Sequence, residues 1–98
     1  MKPSRGTVIP RKLRELVYER DGHKCVGAGR LPGECNGPLS LDHVRPSGGI
    51  SMKSDTDERN LVTLCLFSHH EYKTTHVMTA RPVLLAYLFR LYPDMVTA

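Results

Sequence analysis

At 98 residues, 40% of them hydrophobic, the chain makes one domain near the lower limit of unaided folding, so some staple is expected. Three cysteines cannot pair evenly, and Met1 is followed by Lys2, Pro3, Ser4 and Arg5 rather than an apolar leader core, which argues against a secreted disulfide framework. The net charge of +4 belongs to residues 1–24, with seven Lys/Arg against three acids, and the remainder is balanced at seven of each, a distribution suited to a polyanion such as nucleic acid.

Residues 1–9 read as a basic flexible arm carrying Lys2 and Arg5, and residues 10–98 as the single folded domain. From Pro10, suited to a first helical turn, the run 11–20 puts Leu13, Leu16 and Val17 on one face and Arg11, Lys12 and Arg14 elsewhere. Asp21-Gly22 stops this amphipathic helix. Gly27, Gly29, Pro32 and Gly33 make the stretch between Cys25 and Cys35 a loop with a cysteine at each end. Residues 39–44 alternate apolar and polar as a short strand does, ending in a turn at Pro46 and Gly48-Gly49, and residues 50–52 are expected to begin the returning strand. A charged loop over 53–59 leads to an apolar run over 61–64, which ends at Cys65. Ser68 is expected to cap a helix reaching about Thr75, with Glu71 completing a capping box. The last segment, 81–93, reads as a buried helix with Pro82 in its first turn and Pro93 as its stop. It is well short of the ~20 residues needed to cross a bilayer, so it packs on the domain or forms a dimer contact.

Cysteines accompanied by closely spaced histidines in a reducing cytoplasm point to metal, with zinc the first candidate. The ligand set is Cys25, Cys35, Cys65 and His69, with nine residues inside the first pair and three inside the second. Four protein ligands leave no open position, so this zinc is structural. His23 and His76 are rivals for the fourth place. Hydrolysis of a phosphodiester needs a base for water, a cation for the leaving oxygen and a group that orients the base; Asp42, His43, Asn60 and His70 are the residues able to supply them. Adjacent strand residues face opposite ways, which lets Asp42 and His43 serve different tasks, and a carboxylate with an imidazole suits Mg²⁺ while the imidazole also admits Mn²⁺, Ni²⁺ or Zn²⁺.

The stretch 11–25, then Leu41-Asp42-His43-Val44-Arg45-Pro46, Gly48-Gly49, the run 60–65 from Asn60 to Cys65, and His69-His70-Glu71-Tyr72-Lys73-Thr74 together resemble the HNH endonucleases, particularly the compact phage and bacterial type, over residues ~10 to ~75. The resemblance implies a small α+β fold: a ββα-metal (His-Me finger) core stapled by structural zinc and flanked by N- and C-terminal helices. It implies His43 as general base, Asn60 as the residue holding loop and base, and His70 as ligand to a catalytic Mg²⁺, Mn²⁺ or Ni²⁺ together with Asp42. The register of His69 against His70 is taken from Lys73-Thr74, which follow the last histidine at the family's distance. The chain departs from the family in its zinc pairs, where C-x2-C is usual. The implied partner is DNA, gripped by Lys2, Arg5, Arg11, Lys12, Arg14 and Lys73, with no membrane, a cytoplasmic setting, and a homodimer or a phage packaging or restriction partner as further company. The alternative function is a non-catalytic zinc-stapled module that binds DNA or protein.

Overall fold

The computed structural model describes residues 9–45 and 57–95. Its first element is helix α1 (Arg11–Arg20), and Pro10, expected inside the first turn, instead caps it from outside, its carbonyl accepting from the Arg14 amide at 2.9 Å. Helix α1 packs on the sheet through Val17, which is fully buried, with Leu13 half-buried beside it. Leu16, expected on the same face, is 43% exposed. Successive residues on a helix differ by about 100°, so a contact line centred on Val17 turns Leu16 outward. The helix closes with the His23 amide on the Tyr18 carbonyl at 2.8 Å, Gly22 and His23 both adopting positive φ. The exposed His23 ring lies against Tyr18 and so takes no part in the cysteine cluster.

Strand β1 (Leu39–His43) pairs antiparallel with β2 (Leu61–Cys65), in a register running from Leu39 opposite Cys65 to His43 opposite Leu61. The returning strand expected at 50–52 falls outside the described residues; among those described, β1 has β2 as its partner. Every residue of β2 is buried. A strand covered on both faces reads as a continuous apolar run rather than an alternating one, which is why Leu61, Val62 and Leu64 follow so closely. Its outer edge is closed without a third strand: the Val26 amide donates to the Thr63 carbonyl at 2.8 Å, and the Thr63 amide donates to Asp21 Oδ2 at 3.0 Å. Backbone groups at a buried edge require such partners.

After β2 the chain turns through a π-helical turn (Leu66–His70) into α2 (Glu71–Thr75). Ser68 does not cap this helix as expected. Its hydroxyl donates to the Glu34 carbonyl at 2.6 Å, and the cap is the Cys65 sulfur, which accepts from the His69 amide at 3.4 Å. The turn therefore begins at Leu66, and the capping box read from Ser68 and Glu71 is absent. His76, its ring stacked on Tyr72 at 4.5 Å, separates α2 from α3 (Val77–Leu91). Helix α3 starts four residues before the expected 81, so Pro82 lies in the second turn rather than the first, where it leaves the Met78 carbonyl without its helical amide donor and crowds it. Ala80, Leu84 and Leu88, spaced by four, are fully buried against Val44, Val62 and Leu64, and the helix ends before Pro93.

A charged pair joins these layers. Arg20 and Asp21 meet through Nε–Oδ1 at 2.8 Å and Nη2–Oδ2 at 3.0 Å, the Asp21 side chain being fully buried. Arg20 also donates to the carbonyls of Glu58 and Leu61, both at 2.7 Å, and Asp21 accepts from Tyr87 Oη at 2.6 Å as well as from Thr63. Burial alone would lower the Arg20 pKa, but bonds to Asp21 and Tyr92 hold it above its ordinary value; burial and the Asp21 bond push Tyr87 up to about 12. Removing one partner strands a buried charge. Asp21→Ala should therefore cost about 3–5 kcal/mol in urea unfolding, and a loss below 1 kcal/mol would show that the pair is dispensable.

Candidate functional site: a closed Cys/His cluster and an adjacent Asp/His pair

Cys25, Cys35, Cys65 and His69 come together, their ligand atoms all within 4.8 Å of one another. His69 Nδ1 stands 3.2 Å from Cys25 Sγ, 3.6 Å from Cys35 Sγ and 3.2 Å from Cys65 Sγ. Nitrogen and sulfur ligands on a tetrahedral zinc, with bonds of about 2.0–2.3 Å, lie about 3.6 Å apart. The four residues thus fit a zinc ion and could hold one. His69 completes the group; His23 and His76 do not join it.

Two features prepare the cluster for a cation. The His69 Nε2 atom lies 3.0 Å from the Gly33 carbonyl and can bond it only as a donor, which leaves Nδ1 with its lone pair toward the sulfurs. Backbone amides then support the thiolates: Cys65 N–H donates to Cys25 Sγ at 3.3 Å, and His69 N–H donates to Cys65 Sγ. Although burial raises the Cys65 thiol, amides of His69 and Asn36 bring it down to about 6, while desolvation and the neighbouring Cys25 and Cys65 push Cys35 up to about 12. Thiols crowded in this way ionise together only when a cation offsets the charge. Space is equally restricted. A Cβ on Gly27 would come within 2.8 Å of His69 Cγ, so the loop can close over the imidazole only with glycine there.

The other histidine of the pair turns away from the sulfurs. His70 Nδ1 lies 2.8 Å from Asp42 Oδ2, joining the start of the helical segment to β1. The Asp42 side chain is 9% exposed and that of His70 36%. That separation is a hydrogen bond between imidazole and carboxylate, two groups of the kinds that also ligate small divalent ions. His43 is half-buried one residue further along β1; desolvation lowers its pKa below the ordinary value, with Asp42 opposing and Lys73 adding to the shift.

Asn60 is fully buried in a 3₁₀ turn (Glu58–Asn60) capped by the Asp57 side chain. Its Oδ1 accepts from the Arg45 amide at 2.7 Å, its Nδ2 donates to the Arg45 carbonyl at 3.2 Å, and its own carbonyl accepts from the Val44 amide at 2.9 Å. The asparagine therefore clamps the backbone immediately after His43. Arg11, Lys12 and Arg14 are exposed on α1, whereas Lys2 and Arg5 lie outside the described residues. Lys73, expected to face phosphate, instead points inward to Asp42 and to the His43 carbonyl.

Three features were missed from sequence. Gly27 read only as loop chemistry, Asp21 only as a helix stop, and Lys73 as a DNA contact and register marker; no local pattern distinguishes these roles, since each depends on residues about 30 or more positions away.

The chain matches no protein-family model, no curated protein and no solved structure. Among the described residues, no helix is long and apolar enough to cross a membrane.

One zinc per chain is expected by elemental analysis, and its removal by a chelator should unfold the protein. His69→Ala and Gly27→Ala should release the metal, Cys35→Ala should be as damaging as Cys65→Ala, and His70→Ala should stay folded with zinc bound. A folded, reduced protein free of zinc would defeat this reading. Unfolding by His70→Ala, with His69→Ala still folded, would exchange the roles of the two histidines.

Proposed function

We propose that the chain is a small metal-dependent endonuclease of the HNH type, with a ββα-metal core formed by β1, β2 and the helical segment after Cys65. The observation that carries this reading is the division of two consecutive histidines. His69 closes the cysteine cluster while His70 meets Asp42 at 2.8 Å, so a group able to hold one metal and an Asp–His pair adjoin without sharing a residue, which supports a separate cation site at the pair.

In the proposed reaction His43 accepts a proton from water, whose oxygen forms a bond to the scissile phosphorus as the bond to the 3′-oxygen breaks and that oxygen takes a proton from solvent water. The products are a 5′-phosphate and a 3′-hydroxyl. Asp42 and His70 would hold the catalytic Mg²⁺, Mn²⁺ or Ni²⁺, which when bound offsets negative charge at the phosphate and leaving oxygen. Asn60 keeps the strand end from drifting by gripping both backbone groups of Arg45. The exposed Arg11, Lys12 and Arg14, with Lys2 and Arg5 of the arm, supply phosphate contacts that bring affinity with little sequence choice.

The test is nicking or linearisation of plasmid DNA with Mg²⁺, Mn²⁺ or Ni²⁺ against a chelator control. His43→Ala should keep zinc and bind the second cation, yet lose cleavage by roughly 10²–10⁴-fold. Asp42→Ala and His70→Ala should require more divalent metal or fail altogether. Wild-type protein loaded with zinc that cleaves no DNA with any of the three ions would overturn the enzymatic reading in favour of a binding module.

A basic-arm deletion separates affinity from chemistry. Removing residues 1–9 should weaken DNA binding and flatten its salt dependence while leaving single-turnover cleavage at saturating protein. Complete loss of that cleavage in a folded deletion variant would put reacting groups in the arm.

A further inference from the structure

The Lys73 ammonium occupies a position unlike that of a surface lysine. It is 3.2 Å from Asp42 Oδ1 and 2.7 Å from the His43 carbonyl, and its side chain is only 15% exposed. Asp42 thereby has its two oxygens divided, Oδ1 to Lys73 and Oδ2 to His70. Lys73 and His70 are three apart on one helical segment, so they reach the same carboxylate from one face.

We propose that Lys73 is an internal counter-cation and positioning residue, which sets how strongly the Asp42–His70 pair takes a divalent ion and pins β1 at His43. The proposal rests on the cation site inferred above and goes beyond it by giving Lys73 a role other than phosphate contact. A nearly buried carboxylate requires compensating charge. Lys73 supplies one positive charge from the protein itself, and an incoming divalent ion must share the carboxylate with it. Like charges around one carboxylate oppose each other, so a site with Lys73 in place binds the ion less tightly than the same site without it.

The hydrogen bond to the His43 carbonyl has a separate consequence. Lys73 grips the backbone of His43 from the helix side while Asn60 grips Arg45 two residues later. Together they restrain the strand end on both sides of Val44. Loss of the ammonium should thus tighten the metal and loosen the base, opposite effects that a simple packing role would not produce. A lysine bound to phosphate would act differently again. Its removal would weaken DNA binding and reduce the salt slope by about one phosphate.

The experiment compares Lys73→Met, Lys73→Gln and Lys73→Arg with wild type, using the full chain with zinc content and circular dichroism as fold controls. Mn²⁺ binding is titrated directly by electron paramagnetic resonance, DNA binding is measured in a concentration of chelator that leaves zinc in place, and single-turnover cleavage is followed at saturating Mn²⁺. We expect Lys73→Met and Lys73→Gln to bind Mn²⁺ roughly tenfold more tightly and DNA as well as wild type does. Cleavage should fall in both but less in Lys73→Gln, whose amide can still donate to the His43 carbonyl. Lys73→Arg should retain wild-type Mn²⁺ affinity. Unchanged or weaker Mn²⁺ binding in both neutral variants, or a wild type with no Mn²⁺ site sensitive to Asp42→Asn, overturns the proposal. So does a reduced DNA salt slope at unchanged Mn²⁺ affinity, which makes Lys73 a phosphate contact. If Mn²⁺ affinity shifts as expected but wild type cleaves nothing, the counter-cation role stands and the endonuclease reading alone falls.

Discussion

The approach of three sulfurs to one imidazole nitrogen is the constraint on which the remaining geometry depends. Cys25 and Cys35 bound a glycine-rich loop, Cys65 ends β2, and His69 lies in the following turn, so the cluster joins three stretches of chain, beside the Val26–Thr63 and Ser68–Glu34 hydrogen bonds that run between them. In a domain this small, apolar burial alone is marginal, and a metal held by four ligands couples binding to folding. The cluster also decides local structure. With the Cys65 sulfur as its cap, the helical segment begins at Leu66, earlier than any serine would start it, and its first turn is widened into a π-turn.

That turn is what separates His69 from His70. Neighbouring helical residues project about 100° apart, so once His69 is directed to the sulfurs its successor must leave in another direction. It leaves toward β1, where Asp42 faces inward. The proposed cation site is therefore a geometric consequence of the zinc-type cluster rather than an independent invention. The His69 ring is in turn held by the Gly33 carbonyl and by the absence of a side chain at Gly27.

The Arg20–Asp21 pair serves the same outer edge of β2 nearer its start, at Leu61 and Thr63. It satisfies backbone carbonyls at Glu58 and Leu61 and the amide of Thr63, all of which would otherwise be left without partners near the core. Because Glu58 precedes Asn60 by two residues, the same pair steadies the turn whose asparagine clamps Arg45. Two polar devices, a guanidinium at Leu61 and a sulfur cluster at Cys65, thus hold the outer edge of β2 near its two ends.

Much of this was legible in the residues in order. Helix α1 over 11–20, the strand bearing Asp42 and His43, the apolar run before Cys65, the late helix ended by Pro93 and the four zinc-type ligands all follow from periodicity, turn residues and the chemistry of cysteine with histidine. These are local signals or matters of residue type. The start of α3 at Val77, the outward turn of Leu16, the use of Ser68 on Glu34 and the inward turn of Lys73 were decided only in three dimensions. Each is a choice between a local partner and a distant one. Ser68 could cap its own helix until the loop at Glu34 came within 2.6 Å, and Lys73 could face solvent until a buried carboxylate required its charge. Sequence determined which groups were available to bond; packing determined which of them met, because burial makes an unpartnered polar group costly wherever in the chain its partner lies.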